Sequence, residues 1–441
     1  MRPAAIAPTL LLLGVLLEAI VAGGLAMHVP GAGDVGSEHL ADIFVAVMGV
    51  AAVVYLIAVA LVLRHTPPRL TLWWVLTIAV VMRLTVLFAP PFLSSDMYRY
   101  VWDGKVQAAG INPYRYLPDD PALAPLRDDA IYPNINRRDY APTIYPPMAQ
   151  LIFAAVARIS PTVTAMKAAM VAFELLAMAA IVRLLGIAGL PRARVLIYAW
   201  NPLAVWAFAG NGHVDGAVVG FTALALLARG LRRDGMAGAV LGGAILIKFL
   251  PAAIAPALWR RWDWRLPAAA VVVMIALYAC YIGVGWCVFG FLSGYASEEG
   301  IEQGSGIWLL AGLGKLVTLP AAAPWIYFAL IAVGFLALAA RMDLFGPVPD
   351  DPATDVLRVA GNAAILAACV MVALSPHYAW YFVWLAVPAS IVPYRSVIFL
   401  SVAALLLYRN PLDERFLWPS LLYLPALALA VSDYRRAERS A

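Results

Sequence analysis

A carboxylate beside an apolar segment is the first feature of this sequence that could perform acid–base chemistry. Asp96 follows Ser94 and Ser95, just after the predicted outer end of the third hydrophobic segment. Nearby lipid and aromatic side chains would desolvate this carboxylate, which raises its pKa and makes it a stronger base. The alternative is a structural role, because Ser94, Ser95 and Asp96 precede a helical pattern and are residue types that cap helix N-termini.

A lysine within an apolar stretch is the second such feature. Lys248 lies in residues 236–258, where Pro251 also interrupts the apolar pattern and argues against one continuous span. An ammonium group in such surroundings is costly and needs a counter-charge. A pair with Asp215 or another carboxylate, or snorkelling toward the membrane interface, would satisfy it without any catalytic role.

Asn211, His213 and Asp215 form a compact polar turn between two apolar segments. The structural interpretation is a capped helical hairpin. A zinc site is not expected here, because one histidine and one aspartate fall short of the three or four ligands that zinc usually takes.

The composition places most of the chain in lipid. Of its 441 residues, 63% are hydrophobic and only 13% are charged, whereas about 25% of a typical soluble chain is charged. The net charge of +5 does not indicate nucleic-acid binding, because the basic residues form short clusters between apolar spans. We therefore predict an all-α, polytopic helical bundle in a single membrane domain over residues 1–441.

About twelve membrane spans are predicted from apolar runs of sufficient length. The N-terminal run is longer than the apolar region of a typical signal peptide, so we interpret it as the first anchor. The spans lie near residues 5–27, 42–63, 71–89, 163–186, 195–209, 214–230, 266–288, 322–340, 357–374, 378–393, 396–408 and 416–432.

Lysine and arginine residues set the orientation, because they concentrate in cytoplasmic loops. We predict that residues 148–159, 236–258 and 306–318 do not cross the membrane. Both termini and the basic clusters then fall on the cytoplasmic side; the clusters are Arg64, Arg229 to Arg233, Arg260 to Arg265 and Arg435 to Arg439. Full crossings by 236–258 and 306–318 would give fourteen spans instead. The acidic segment 342–356 is interpreted as a plain cytoplasmic linker.

Four polar regions then face outward from the cytoplasmic (inner) membrane. They are residues 90–147, Gly210 to Asp215, the acidic stretch with Glu298, Glu299 and Glu302, and Ser375 to Tyr378. The acidic stretch could contact ligand hydroxyls or be a solvated loop. Residues 90–147 are too long and too rich in Pro, Tyr, Asp and Arg for a passive connection, so we predict that this loop carries the chemistry.

The motifs in these outer regions, taken in order, resemble a known family. They are Asp96-Met97-Tyr98-Arg99-Tyr100, Gly110-Ile111-Asn112-Pro113-Tyr114, Ile144-Tyr145-Pro146-Pro147, Asn201-Pro202, Gly210-Asn211-Gly212-His213-Val214-Asp215, Lys248-Phe249-Leu250-Pro251 and Ser375-Pro376-His377-Tyr378. Over about residues 90–390 the chain resembles the GT-C superfamily. It most resembles the polyprenyl- or dolichyl-phosphate-mannose-dependent mannosyltransferases related to the GPI mannosyltransferase I catalytic subunit.

The resemblance implies an inverting transfer of mannose from a polyprenyl-phosphate donor to a hydroxyl of a glycan or glycolipid outside the cytoplasm. Asp96 would be the base, and Arg99, Arg115, Lys248 and His377 would hold the donor phosphate. The full set of donor- or acceptor-binding candidates is Tyr98, Arg99, Arg115, Tyr145, Asn211, His213, Asp215, Lys248, His377 and Tyr378.

Two positions depart from the family pattern. The family often carries Asp-x-Asp, but Ser94 occupies the first position here and leaves a lone carboxylate, fewer oxygen ligands than a divalent cation usually takes. We therefore predict no metal ligands, with a divalent metal as the open alternative. His377 replaces the usual glutamine.

Two alternatives for the function stay open. The same chemistry could use a lipid-linked arabinose, glucose or amino sugar. A lipid-linked transporter or flippase is the other alternative, although transporters place their polar groups near the bilayer midplane, often in repeated halves, and no repeat is evident in this sequence.

Overall fold

The computed structural model describes residues 3–27, 38–344, 346, 349–409 and 416–440. Within these residues the chain forms α-helices joined by short 3₁₀ and π segments, and it contains no β-strand. The prediction of an all-α, polytopic bundle is confirmed.

The helices differ widely in length, from single turns to elements of more than twenty residues. They are α1 Pro3–Gly24, α2 Glu38–Arg64, α3 Thr71–Leu87, α4 Asp96–Ala108, α5 Pro147–Ile159, α6 Val163–Ile187, α7 Leu196–Ala199, α8 Pro202–Ala204, α9 Asp215–Gly230, α10 Asp234–Ile245, α11 Ala255–Leu258, α12 Arg265–Ala279, α13 Leu292–Glu298, α14 Trp308–Gly314, α15 Ala323–Ala339, α16 Pro352–Leu374, α17 Ala386–Ala389, α18 Arg395–Ala403 and α19 Leu417–Ser440.

Several of these helices are long and apolar enough to cross a membrane. Five qualify among the described residues: Ile6–Gly24, Leu40–Arg64, Val163–Ile187, Ala323–Asp343 and Pro352–Leu374. The count reaches seven if each of two sharply bent helix pairs is one span. Only 11% of the most apolar stretch of Ala323–Asp343 is buried in the protein, so its remaining surface is suited to lipid. The protein is integral to a membrane, and the number of twelve crossings stays a prediction.

Two predicted spans are interrupted in the structure. Residues 195–209 are divided among α7, α8 and a π-helix, because Asn201 caps α8 by accepting a hydrogen bond from the Leu203 amide at 3.0 Å. Residues 266–288 are divided where α12 ends at Ala279 and the chain turns by 111° into Ile282–Glu298. Gly285 within this second part has φ +60°, a value that favours glycine.

Helix α4, at the start of the large loop, packs closely against α5, which follows the end of the loop. Gly104 of α4 lies so near α5 that a Cβ atom there would be 2.5 Å from the Phe153 carbonyl oxygen. The ring of Tyr100 stacks on Phe153 with 4.7 Å between centroids. Because α5 is the point at which the loop returns to the bundle, this contact holds both ends of residues 96–147 together.

A buried ion cluster closes the end of the bundle opposite the loop. Arg229, in the last turn of α9, binds Asp355, in the first turn of α16, at 2.8 Å. Arg358 binds both Asp355 and Asp343, at 3.2 and 3.3 Å. The interpretation of residues 342–356 as a plain linker is therefore wrong, because burial of Asp343 and Asp355 requires these arginine partners.

Candidate active site

Asp96 is the first residue of α4, and its carboxylate faces a cavity rather than the helix backbone. One oxygen accepts a hydrogen bond from Asn136 Nδ2 at 2.9 Å. The other lies 3.6 Å from His213 Nδ1, and the side chain is 23% exposed. Ser95 is the N-cap residue and makes no side-chain cap hydrogen bond. Asp96 therefore presents its carboxylate to the cavity, and its role as a base stays a prediction.

The surroundings of Asp96 favour a carboxylate that can accept a proton. Burial raises the pKa of Asp96 above its ordinary value of 3.8. The charges of Lys248 and Arg137 and the hydrogen bond from Asn136 lower this pKa, and they offset only part of the effect of burial. A carboxylate with a raised pKa is a stronger base when it is ionised.

Lys248 lies in the break between α10 and the 3₁₀ segment Leu250–Ile254, as the sequence predicted for residues 236–258. Helix α5 stabilises this break, because the Leu246 carbonyl accepts hydrogen bonds from the Met148 and Ala149 amides at the start of α5. Lys248 Nζ binds both carboxylate oxygens of Asp215, at 2.8 and 2.9 Å. The counter-charge expected for this lysine is therefore Asp215.

The polar turn of residues 210–215 forms a layer beneath the cavity. Asn211 Oδ1 accepts a hydrogen bond from the Phe92 amide at 2.9 Å, which ties the turn to the segment that leads into Asp96. The His213 ring is fully buried and stacks on Trp380 with 3.7 Å between centroids. Gly212 has φ +73°, and a Cβ atom there would collide with Met97 of α4. The turn thus supports Asp96 and Lys248 from behind.

His377 and Tyr378 join the cavity wall through Glu299. His377 Nδ1 lies 2.6 Å from Glu299 Oε2, and Nε2 lies 2.7 Å from the Gly306 carbonyl oxygen. The Tyr378 hydroxyl donates to Glu299 Oε1 at 3.0 Å. Glu299 is therefore a fixed part of the site, whereas Glu302 is exposed to solvent.

These elements enclose one cavity of about 700 Å³. Its polar end contains Asp96, Asn136, Arg137, Lys248, Glu299 and His377. Its other end is apolar and lies between membrane helices α15 and α16 and the segment Leu250–Ile254, where Leu250, Ala253, Phe328, Phe335, Val370 and Leu374 line it. The cavity is thus suited to a ligand with a charged head and a long apolar tail.

The structure divides the sequence-predicted residues into three groups. Asp96, Arg99, Tyr145, Lys248, His377 and Tyr378 line the cavity, and Asn211, His213 and Asp215 lie behind its wall. Tyr98 and Arg115 are outside its lining, and Arg115 is exposed. Arg99 is already engaged by Asp103 at 2.9 Å and by the Ala141 carbonyl, so it holds the loop in place.

The sequence contains no recognised motif for two further residues of the site. Asn136 and Arg137 come from the middle of the loop, and Arg137 binds Glu298 at 2.7 Å. The only sequence signal is a polar run, Asn136 to Asp139, within a loop that returns to the membrane. No group of three or more His, Cys, Asp or Glu residues in the described ranges is placed to hold a metal ion.

Comparison with known proteins gives one family. The model of the MptA_B family, described as alpha-(1->6)-mannopyranosyltransferase, N-terminal domain, matches residues 5–262. The chain belongs to this family. It is therefore a membrane glycosyltransferase of a mannosyltransferase family, and the mannosyltransferase resemblance in the outer motifs is confirmed. Neither the curated proteins nor the solved structures contain a significant match.

The family match covers only one part of the mannosyltransferase cavity. Asp96, Asn136, Arg137 and Lys248 lie within residues 5–262, whereas Glu299, His377 and Tyr378 lie beyond them. The structure brings both parts of the chain to the same cavity. The family match therefore carries no information about the roles of Glu299, His377 and Tyr378.

Proposed function

We propose that this mannosyltransferase takes mannose from a polyprenyl-phosphate donor and transfers it, with inversion, to a hydroxyl of a glycan or glycolipid on the non-cytoplasmic side. The observation that carries the proposal is the cavity with one charged and one apolar end. A sugar nucleotide has no apolar tail to place in the apolar end of the cavity, whereas the prenyl chain of a polyprenyl-phosphate donor does.

The apolar end is long enough to hold several carbons of a prenyl tail. Phe328 and Phe335 line it and are seven residues apart on α15, which corresponds to about 10 Å along the helix axis. The carbons of a prenyl chain would be buried against these side chains, and each buried CH₂ contributes about 0.8 kcal/mol to binding.

The polar end offers the groups that the reaction needs. Asp96 removes the proton as the acceptor oxygen attacks the anomeric carbon, and the bond from that carbon to the phosphate oxygen breaks. The electron pair leaves with polyprenyl phosphate. Lys248 and Arg137 are also paired with carboxylates, but their side chains are 18% and 29% exposed, against 6% for Arg99, so they can provide positive charge for the departing phosphate. Inversion follows because attack comes from the face opposite the leaving group.

Two helices support the proposed orientation. Helix α9 starts with Asp215 beneath the cavity and ends with Arg229 in the buried ion cluster. Helix α16 starts in that cluster and ends at Leu374 on the cavity wall. The cavity and the arginine-rich end are therefore at opposite ends of the same helices, and the positive-inside rule assigns the arginine-rich end to the cytoplasm.

A reconstituted transfer assay tests the proposal. Purified protein in lipid nanodiscs would receive radiolabelled polyprenyl-phosphate-mannose and a mannoside glycolipid acceptor, with GDP-mannose as the alternative donor. We expect transfer from the lipid-linked donor only. Transfer from GDP-mannose would contradict the proposal. In a parallel reconstitution into liposomes, movement of the lipid-linked donor across the membrane without sugar transfer would also contradict it. Parallel donors with arabinose, glucose and an amino sugar test the choice of mannose.

A further inference from the structure

A segment outside the family match closes one side of the cavity. Residues 291–307, here named the strap, contain α13 and a turn with Gly300 and Gly304 at φ +64° and +76°. Strap residues Tyr295, Glu299 and Ile307 are part of the cavity lining. The strap therefore forms one wall of the cavity.

The strap is fastened to two parts of the protein. On one side, Glu298 accepts hydrogen bonds from Arg137 at 2.7 Å and from Tyr140 at 2.9 Å. On the other side, Glu299 and Gly306 both contact His377. The strap thus links the loop that carries Asp96 to the segment that follows α16.

The contacts of His377 favour the charged form of its ring. The Glu299 carboxylate and the Gly306 carbonyl offer only acceptor atoms to the two ring nitrogens. A neutral imidazole carries one N–H and can satisfy one acceptor, whereas the imidazolium carries two and satisfies both. The arrangement at 2.6 and 2.7 Å therefore fits the charged ring.

We propose that His377 acts as an imidazolium that fastens the strap over the transfer cavity, and that it is a positioning residue rather than a ligand of the donor phosphate. This inference rests on the proposed function. A neutral glutamine at this position would carry no charge and would not change its protonation state in this pH range. The histidine therefore gives this chain a pH-sensitive contact.

The local electrostatics agree with this assignment. Burial disfavours the charged ring, but the hydrogen bonds to Glu299 and Gly306 and the Glu299 charge outweigh it and raise the pKa of His377 above 6.5. The contact is therefore complete below about pH 6.5 and is lost as the pH rises through the raised pKa. The ionisable groups around this contact are Glu299 and Tyr378 in direct contact, with Lys248, Arg137 and Asp96 acting on them at longer range.

Hydrogen–deuterium exchange measured by mass spectrometry on the full-length protein tests the strap directly. At about pH 6.5, peptides from residues 296–307 should exchange about tenfold faster or more in His377→Gln than in the wild type, as expected after loss of a charge-assisted hydrogen bond. His65→Gln, a substitution of the same type far from the cavity, should leave these peptides unchanged. Equal exchange in His377→Gln and the wild type would overturn the proposal.

Glu299→Gln gives a second test, with Glu302→Gln as its matched control on the exposed part of the strap. Glu299→Gln removes the counter-charge of the imidazolium, so the pH at which exchange accelerates should fall. Glu302→Gln should leave that pH unchanged. If both variants behave like the wild type, Glu299 does not hold a charged His377 and the proposal fails.

The donor KM separates positioning from phosphate binding. The wild-type KM should rise with pH in step with strap exchange, and His377→Gln should show a raised KM with little further pH dependence. A raised KM with unchanged exchange would mean that His377 contacts the donor, which overturns the proposal. Hydrogen–deuterium exchange does not require turnover, so it tests the strap contact independently of the proposed function. If the strap exchanges faster in His377→Gln but the wild type transfers no mannose, the proposed function is contradicted and the strap contact is still supported.

Discussion

The carboxylate of Asp96 is held by a single strong contact, the hydrogen bond from Asn136 at 2.9 Å. His213 lies at 3.6 Å on its other side, too far for a hydrogen bond. One oxygen is thus oriented by the loop, while the other stays available to the cavity. This arrangement gives Asn136 the role of positioning the base.

Removal of the Asn136 amide should change the pH dependence of transfer. The hydrogen bond lowers the pKa of Asp96 against the larger effect of burial, so Asn136→Ala should raise this pKa further. Because activity requires the ionised carboxylate, it is lost as the pH falls through the pKa of Asp96. We expect the acidic limb of kcat/KM to move to higher pH in Asn136→Ala. Asn134→Ala, which removes a half-buried amide that donates to the Ala130 carbonyl and not to Asp96, should leave the limb in place; an unmoved limb in both would contradict the role of Asn136.

At this scale the sequence predicts the residues that belong to motifs and misses those that depend on the path of the loop. Asp96 and Lys248 were recognisable because each is a charge beside apolar residues. Asn136 and Arg137 come from the middle of the loop between α4 and α5 and line the cavity, and no local pattern predicts the path that brings them there. Arg115 was a reasonable candidate by charge, but its position after the turn at Asn112 leaves it exposed.

Among the helices, the buried pair of Lys248 and Asp215 joins the break after α10 to the start of α9. Both carboxylate oxygens contact the ammonium group, and the side chains are 18% and 5% exposed. A break in a membrane helix leaves backbone groups without helical partners, so it persists only where other contacts stabilise it. The pair and the Leu246 carbonyl contacts together provide that stabilisation.

Lys248→Met should destabilise the protein more than the double variant Lys248→Met, Asp215→Asn. The single change leaves a buried carboxylate without its partner, which typically costs about 3–5 kcal/mol, whereas the double change removes both charges. The measurement is thermal unfolding in detergent. Lys105→Met, which breaks a more exposed pair with Asp128, is the matched control and should cost about 1 kcal/mol or less. Equal melting temperatures for the single and double variants would show that the pair does not stabilise this break.

Over the whole molecule, the sequence predicted that the polar regions that form the cavity and the arginine-rich clusters lie at opposite ends of the helices. Charge clusters and apolar runs place the polar regions on one side, and α9 and α16 connect the two ends in the structure. The individual crossings were less predictable, because short 3₁₀ and π segments such as Val205–Gly210 carry the same apolar composition as a spanning helix. The linker assignment of residues 342–356 failed because Arg229, which binds Asp355, is 126 residues away in sequence, and no local pattern in the linker shows that contact.

The orientation is testable by cysteine labelling in whole cells. The native Cys280, Cys287 and Cys369 would first be replaced by alanine. Asp129→Cys in the large loop should then react with a membrane-impermeant maleimide in cells whose outer layers have been opened, with the cytoplasmic membrane intact. Arg261→Cys at the arginine-rich end should react only after that membrane is permeabilised. The reverse pattern would show that the cavity faces the cytoplasm.

The central claim, that Asp96 is the base in a lipid-linked mannosyl transfer, is tested most directly by Asp96→Asn in the reconstituted assay. The substitution keeps the size and hydrogen-bonding capacity of the side chain and removes its ability to accept a proton. We predict a loss of about 10²–10⁴-fold in kcat, with unchanged thermal stability and unchanged binding of polyprenyl-phosphate-mannose, while Asp129→Asn in the same loop keeps full activity. Activity of Asp96→Asn within about threefold of the wild type, as expected if the residue only caps α4, would contradict the account.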